Sequence, residues 1–372
     1  MKNKILVFMF VMVLSFFSIA TFLLPDKTFS VVENRYLESR PKADVKSVLD
    51  GSFEEQFEKY AADQVVLKDT FVSIKSDVEF LAHKQGLNGV YFGKGERYVK
   101  VYDPNLRQYD ENLQFIDDYV DFFKDKVPIA FLLAPNVQSV YEDCLPANVY
   151  MGDAEADFKR ANDVFKDITF VNPTDILKEH KGEDIYFRTD HHWTMRGAYY
   201  AYTKLMNELG ETPHDVDDYE VKTVSDSFYG SLYSKAPLSF VKPDKIEVYD
   251  YKKGTYRVTF EDSEVMHNLF ASSKLSVKDQ YTYFLDGNHQ YVKIESLAGT
   301  GKKALVFKDS YSHSLLPFLA NHYDEIDVVD LRYYHEDVKA LTEEGDYDQV
   351  FMIYNLDFLT SDANFIWMDV KE

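Results

Sequence analysis

Apolar residues are unevenly distributed along the chain, and the longest block without a charge lies at its amino end. Ile5–Leu24 follows two lysines, contains no charged residue and is ended by Pro25. A helix of this length rises about 30 Å, which is enough to cross the hydrocarbon core of a membrane. We expect residues 1–25 to be a retained signal anchor, with a cleaved signal peptide as the alternative. Both place residues 26–372 outside the cytoplasm, because the positively charged end stays inside.

Beyond this block, apolar positions first recur with helical spacing and then fall into short unbroken runs. Phe53, Phe57 and Tyr60 predict an amphipathic helix that continues to about Leu81, and the glycines of residues 88–95 predict short strands. From residue 105 onward, helices alternate with apolar strands. The predicted strands are 128–134, 168–171, 304–307, 326–331 and 349–354, and the predicted helices are 112–124, 154–165, 195–209, 312–322 and 336–342.

This alternation is typical of an α/β protein in which helices cover both faces of a parallel sheet. Residues 135–141 are predicted to form a loop. Residues 215–298 are rich in Tyr, Ser and Lys with alternating apolar positions, which favours a β-rich insertion. The sequence therefore predicts one extracytoplasmic α/β domain, residues 26–372, that carries an insertion at about 215–298.

Composition narrows the possible functions. The formal net charge of −22 disfavours binding to nucleic acid, because the phosphates would be repelled. Cys144 is the single cysteine, so an internal disulfide and a cysteine-based metal site are both excluded. We expect this thiol to be buried and structural.

Candidate chemistry concentrates in the stretch 186–197, which holds Asp190, His191 and His192 in succession between two arginines, Arg188 and Arg196. Asp190 and His192 are two residues apart, so a loop can bring both side chains into one pocket. There the carboxylate can accept the Nδ1–H of the imidazole and leave Nε2 free as a base. Such a base needs a nucleophile, and the sequence offers one about 120 residues further on.

That nucleophile is Ser310, which follows the predicted strand 304–307 together with Asp309. In an open α/β sheet, ligands bind beyond the carboxyl ends of the strands. N–H groups at the helix start after Ser310 are expected to stabilise an oxyanion, with Asn355 as a second donor. Arg332 is expected to hold a carboxylate or a carbonyl. The pocket is completed by residues assigned to packing or substrate contact, namely His191, Trp193 and Tyr311.

The string Thr189-Asp-His-His-Trp193 with a downstream Asp-Ser resembles the signature of the DHHW family of bacterial extracytoplasmic proteins. That family is similar to the AlgJ and AlgX alginate O-acetylation proteins, in the broader SGNH-hydrolase-like group, and the resemblance covers nearly the whole chain. It implies that Asp190 is the orienting acid, His192 the base and Ser310 the nucleophile, with Asn355 a looser match to the oxyanion residue. One departure is Lys308, where the family usually has glycine; this change could narrow the approach to the serine.

The resemblance implies an O-acetyltransferase or esterase that acts on a cell-surface or secreted polysaccharide and needs no cofactor. A membrane-bound O-acyltransferase partner would deliver the acetyl group, since acetyl-CoA is cytoplasmic. Two alternatives remain open. In the first, Asp190, His191 and His192, with His289 or His313, bind a metal that hydrolyses an ester or phosphate. In the second, the protein is a non-catalytic glycan-binding or scaffold component, whose tyrosines stack on sugars.

Overall fold

The computed structural model describes residues 2–261 and 263–370. These residues form two compact units. The smaller unit comprises residues 1–88 and 233–241, and the larger one comprises residues 89–232 and 242–372.

The smaller unit is mainly helical. Its elements are α1 (Lys2–Leu23), β1 (Phe29–Ser30), β2 (Arg35–Tyr36), α2 (Val45–Leu49), α3 (Ser52–Gln64), α4 (Lys68–Leu81) and β3 (Gly86–Leu87). The single helix predicted from Phe53 to Leu81 is wrong, because the chain breaks into α3 and α4 at residues 65–67. Leu67 adopts a left-handed backbone conformation with φ of 63°, which a continuous helix does not allow.

The larger unit alternates strands and helices. Its strands are β4 (Val90–Phe92), β5 (Tyr98–Lys100), β6 (Ile129–Ala134), β7 (Thr169–Val171), β8 (Tyr219–Phe228), β9 (Asp244–Tyr251), β10 (Tyr256–Phe260), β11 (Val265–Met266), β12 (Tyr291–Ser296), β13 (Lys303–Lys308), β14 (Glu325–Val329) and β15 (Gln349–Asn355). The helices from residue 106 onward are α5 (Leu106–Phe123), α6 (Val137–Val140), α7 (Ala154–Val164), α8 (Thr174–Glu179), α9 (Met195–Glu208), α10 (Ser231–Lys235), α11 (Leu316–Leu319), α12 (Val338–Glu344) and α13 (Leu356–Leu359).

An eight-stranded sheet organises the larger unit, in the order β11-β10-β12-β14-β13-β15-β6-β7. The five strands from β14 to β7 are parallel, which confirms the predicted α/β fold with a parallel-rich sheet. β10, β11 and β12 come from the segment predicted as an insertion, and they extend this sheet through antiparallel pairing. β8 and β9, from the same segment, form a separate hairpin.

The central strands are buried on both faces, which explains their unbroken apolar sequence. Along β13, Ala304 and Val306 belong to one apolar cluster, whereas Leu305 and Phe307 belong to a second cluster. Successive side chains of a strand point to opposite faces, so the two clusters lie on the two sides of the sheet.

Two predicted connections differ in detail. Residues 137–140 of the predicted loop form the short helix α6. The helix predicted at 312–322 is instead a 3-10 turn, Ser310–Ser314, followed by α11, with Pro317 in the first turn of α11. Proline lacks the N–H that a continuous helix would need at this position. The consequence is that Ser310 lies in a tight turn at the carboxyl end of β13.

Candidate active site

The stretch that carries the two histidines is a short hairpin-like loop ahead of α9. Tyr186 and Trp193 form an isolated antiparallel bridge, and the Phe187 N–H donates to the His192 carbonyl at 3.2 Å. Thr194 then caps α9 by accepting the N–H of Gly197. The loop is therefore closed at its base, and Asp190 lies near its tip.

One carboxylate from the β8–β9 hairpin anchors this loop. Asp244 Oδ2 accepts the backbone N–H of Thr189 at 2.8 Å and its hydroxyl at 2.6 Å. Its other oxygen accepts the backbone N–H of Arg188 at 3.1 Å and the guanidinium Nε–H at 3.2 Å. Arg196, the second flanking arginine, pairs with Glu247 at 3.2 Å. Both arginines thus hold the loop in place.

A second segment, Gly230-Ser231, presses directly against Asp190. The Ser231 N–H donates to Asp190 Oδ2 at 2.6 Å. A Cβ atom added to Gly230 would lie 2.3 Å from the Cβ of Asp190, closer than any real contact. A residue with a side chain cannot occupy position 230 unless Asp190 moves, so the glycine makes this close approach possible.

The structure brings the three residues Asp190, His192 and Ser310 into one hydrogen-bonded chain. Asp190 Oδ1 lies 2.5 Å from His192 Nδ1 and also accepts the backbone N–H of His192 at 3.0 Å. His192 Nε2 lies 2.8 Å from Ser310 Oγ. Asp190 and His192 are buried, whereas Ser310 is partly exposed. The exposed end of the chain is therefore the hydroxyl.

Burial alone would raise the pKa of Asp190, but the neighbouring imidazoles of His191 and His192 and the hydrogen bonds from His192 and Ser231 hold this pKa below its ordinary value. Asp190 is therefore a carboxylate at neutral pH and accepts hydrogen bonds. This state keeps the proton of a neutral His192 on Nδ1 and leaves Nε2 facing the serine.

Tyr281 contacts both the imidazole and the serine turn. Its ring stacks on that of His192 with centroids 3.8 Å apart and planes 8° from parallel. Its hydroxyl donates to the Ser310 carbonyl at 3.0 Å. Tyr281, Gly230, Ser231 and Asp244 were not predicted, since they lie 29 or more positions from the residues they support and belong to no local motif.

His191, Trp193 and Tyr311, which the sequence assigns to packing or substrate contact, connect the loop to the serine turn. The indole N–H of Trp193 donates to the Tyr311 carbonyl at 2.9 Å, and the Tyr311 hydroxyl donates to the His191 carbonyl. Trp193 and Tyr311 are buried. His191 is partly exposed, and its Nδ1 lies 2.9 Å from the Ser231 hydroxyl. Among the three, only His191 presents a side chain that solvent can reach.

The oxyanion role expected for Asn355 finds no support in this arrangement. Its amide Nδ2 donates to the Ala134 carbonyl at 3.1 Å, and its Oδ1 accepts the N–H of Asp357. The backbone N–H of Asn355 donates to Asp309 Oδ2 at 2.6 Å, while Asp309 Oδ1 accepts the N–H of Tyr311. Burial raises the pKa of Asp309 to about 6, although these N–H groups oppose the rise. Asn355 and Asp309 thus shape the serine turn.

Lys308 makes its polar side-chain contacts with Asp330 and His313. The side chain is buried, and Nζ donates to Asp330 at 2.8 Å and lies 2.8 Å from Nε2 of His313. Burial lowers the pKa of Lys308, and Asp330 opposes this effect. Arg332, expected to hold a substrate group, donates to the same carboxylate and to Asn288. Both cations thus pair with the buried carboxylate of Asp330.

The residues of the metal hypothesis are only partly brought together. Asp190, His191 and His192 each offer a ligand atom within 4.8 Å of the others. His313 contacts Lys308 instead, and His289 lies beside Glu261. The 2.5 Å separation between Asp190 Oδ1 and His192 Nδ1 is that of a hydrogen bond. Two ligands of one tetrahedral zinc ion lie about 3.3 Å apart. These two atoms are therefore hydrogen-bonded to each other and lie too close together to be two ligands of one zinc ion.

Asp190, His192 and Ser310 thus lie beyond the carboxyl end of β13, in a parallel-rich α/β sheet. The sequence model of the DHHW family, whose description is "DHHW protein", matches residues 149–329 of this chain. This segment contains the loop 189–193 and Ser310. The resemblance to the DHHW family is thereby confirmed over this part of the chain.

Two solved structures share the fold of this chain. A DHHW family protein from Eubacterium siraeum matches 75% of this chain and 93% of its own length, at 22% identity and a TM-score of 0.66. PatB1 from Bacillus cereus matches 73% of this chain and 97% of its own, at 22% identity and a TM-score of 0.61. The O-acetyltransferase domain of Pseudomonas putida AlgJ matches 74% of this chain and 93% of its own, at 15% identity and a TM-score of 0.47. No curated protein matches the chain in sequence.

Proposed function

We propose that this protein is an extracytoplasmic serine-dependent O-acyltransferase or esterase that moves acetyl groups on a cell-surface or secreted polysaccharide. The observation that carries the proposal is the hydrogen-bonded chain from Asp190 through His192 to Ser310, whose last atom is partly exposed. A nucleophile, a base and an orienting acid are the three roles that acyl transfer requires of one cleft.

In the first half of the reaction, Ser310 Oγ attacks the carbonyl carbon of an acetyl ester, and His192 Nε2 accepts the hydroxyl proton. The tetrahedral intermediate collapses when the bond to the leaving oxygen breaks, and His192 returns the proton to that oxygen. In the second half, His192 deprotonates an acceptor hydroxyl that attacks the acetylated serine, and the proton returns to Ser310. A sugar acceptor makes the reaction a transfer, and water makes it a hydrolysis.

Two features of the site are suited to these steps. Asp190, held anionic by its neighbours, stabilises the imidazolium that forms transiently on His192. Ser310 is the first residue of a 3-10 turn. The first N–H groups of such a turn have no acceptor within the helix, so the Ser310 N–H is available. We assign the oxyanion to this N–H in place of the Asn355 side chain.

The proposed location is the outer face of the cell membrane. Residues 4–23 of α1 are long and apolar enough to cross a bilayer, and the catalytic residues follow on its carboxyl side. With a retained anchor, an acetyl group exported by a membrane-bound O-acyltransferase would reach Ser310 without leaving the membrane surface. The alternative is a secreted enzyme produced by cleavage of the signal.

The test is acetyl transfer by the full chain in detergent, from a chromogenic acetyl ester to a soluble polysaccharide. The wild type should release the chromophore, and a fluorophosphonate probe should label Ser310. Ser310→Ala should lose both signals. Ser312→Ala, a change of the same residue type in the same turn, should keep the label. If wild type and Ser310→Ala behave alike, the protein is not a serine acyltransferase, and the scaffold or metal alternative takes its place.

A further inference from the structure

Helix α4 of the smaller unit exposes a continuous apolar stripe. Its members are large side chains that remain between two fifths and three quarters exposed, namely Leu67 (53%), Phe71 (43%), Ile74 (50%), Val78 (58%) and Leu81 (73%). Their spacing alternates between four and three residues, so all five lie on one side of the helix. Contiguous exposed apolar surface of this kind is uncommon on a protein that meets only water.

The other side of α4 is packed within the unit. Ser76 is buried, and Asp69 accepts a hydrogen bond from the Ser30 hydroxyl at 2.8 Å. Lys75 follows Ile74 in the sequence. It is exposed and lies beside the stripe. The stripe is therefore the outward face of α4, and a cation with a long flexible stem lies at its margin.

The stripe begins where α4 touches α1; the inference drawn here rests on the proposed function's retained anchor, in which α1 spans the membrane. The rings of Phe71 and Phe17 are 5.4 Å apart, and the Val66 N–H donates to the Thr21 hydroxyl at 3.2 Å. Phe17 precedes the end of α1 by about six residues, or about 9 Å along the axis. Phe71 is therefore level with the last turns of the apolar span, not with the water beyond it.

This position decides which partner fits the stripe. Residues 4–23 rise about 30 Å, the thickness of the hydrocarbon core, so the contact between Phe17 and Phe71 lies inside the outer boundary of that core. A helix with an apolar face and a polar face at this depth has the form of an interfacial helix. Lys75 can extend along the surface to the phosphate groups of the lipids.

We propose that α4 lies in the outer leaflet of the membrane, with the stripe from Leu67 to Leu81 immersed in lipid. The protein then has two membrane contacts, the spanning helix α1 and the interfacial helix α4. The second contact fixes the orientation of the smaller unit on the membrane, which a single spanning helix alone would leave free to rotate.

The experiment uses the full chain with Cys144→Ser, reconstituted into vesicles of phosphatidylcholine and phosphatidylglycerol. Single cysteines placed by Ile74→Cys and Val78→Cys carry an environment-sensitive fluorophore, which is quenched either by spin-labelled lipid or by aqueous iodide. Val11→Cys in α1 is the control for lipid, and Asp226→Cys in the exposed β8–β9 hairpin is the control for water. Circular dichroism checks that each labelled chain is folded.

We expect spin-labelled lipid to quench positions 74 and 78 several-fold more than position 226, with values approaching those of position 11. Two results would overturn the proposal. Quenching by iodide to the extent seen at position 226 would place the stripe in water. Protection from both quenchers would mean that a protein surface, rather than lipid, covers α4.

Discussion

The two units of this protein differ in how far their large apolar side chains are buried. In the larger unit, strands such as β13 bury alternate side chains in two clusters on the two faces of one sheet. The smaller unit exposes more large apolar side chains than the larger one even when α1 is left aside, although it is much shorter. Its interior is held by charged groups, among them Asp63, which bonds Arg35 and Lys68.

The difference separates two tasks. A sheet buried on both faces is rigid enough to hold Ser310 and His192 within hydrogen-bond distance, although they lie 118 residues apart. A unit with exposed apolar faces is suited to a membrane. Chemistry and attachment should therefore respond to different substitutions.

The largest effect is expected from the proposed catalytic residues of the larger unit. Ser310→Ala and His192→Ala should each lower turnover by about 10³-fold or more, which is about 4 kcal/mol of barrier. The double variant should be little worse than either single one, because the two residues act as a unit. Asp190→Asn should also impair turnover strongly, since an amide can support the wrong tautomer of His192. Steady-state ester turnover measures all four variants.

The membrane-bound fraction of these variants should equal that of the wild type, which sedimentation with vesicles measures. A variant that loses turnover and membrane binding together would contradict the separation of the two units.

A smaller loss is expected from Gly230→Ala. The new methyl group would have to displace Asp190, because the two Cβ atoms would be 2.3 Å apart. Misplacement of a catalytic group by about 1 Å costs roughly 10²-fold in rate. We expect turnover to fall by about 10-fold to 100-fold. The matched control is Gly182→Ala, where nothing lies within 4 Å of the added Cβ. Equal rates for both variants would show that the loop can adjust without loss.

Asp63→Asn tests how the smaller unit is held together. Hydrogen bonds from Arg35, followed by those of Lys68 and the Glu38 N–H, hold the pKa of Asp63 below its ordinary value against the effect of burial. Hydrogen bonds to a charged group contribute about 1.5–3 kcal/mol, so we expect the free energy of opening of residues 26–88 to fall by about 2 kcal/mol. Hydrogen exchange of these residues measures the change.

The hydrogen bonds of Asp63 also predict that the stability of the smaller unit depends on pH. Because the folded pKa of Asp63 is below the unfolded one, its contribution is present above about pH 4 and is lost as the pH falls through the folded pKa. In Asp63→Asn this acid-dependent loss should be absent. Glu55→Gln, which removes an exposed pair with Lys59, is the control and should change little. Equal behaviour of the two variants would favour apolar burial as the source of stability.

The smallest effect on turnover distinguishes the hydrogen-bonded chain of Asp190, His192 and Ser310 from a metal site. His191 lies beside Ser231 and is not part of the hydrogen-bonded chain, so His191→Ala should lower turnover by about tenfold or less. In a metal site, His191 and His192 would both be ligands, and the loss of either would remove metal and activity together. Metal content by mass spectrometry and recovery with added Zn²⁺ decide between the two. Equal collapse of both variants, with activity insensitive to Ser310→Ala, would rule out acyl transfer by serine.

Several features were predictable because they depend on local patterns. The parallel strands follow from short apolar runs, and α9 follows from its cap at Thr194 and the glycine at position 210. The pairing of Asp190 with His192 follows from their spacing. The break between α3 and α4 was missed, since no glycine or proline marks residues 65–67. The short turn after Ser310 was also missed, although Pro317 is a visible signal for it.

The amino-acid sequence by itself determined the kind of fold, the apolar amino-terminal helix and the identity of the acid, base and nucleophile candidates. These depend on the order of residues over a few positions. Only the tertiary structure decided that Tyr281 stacks on His192, that Gly230 makes room for Asp190, and that Asn355 donates to Ala134 instead of facing Ser310. These contacts join residues far apart in the chain. Their geometry depends on the register and packing of the whole sheet, which no local pattern encodes.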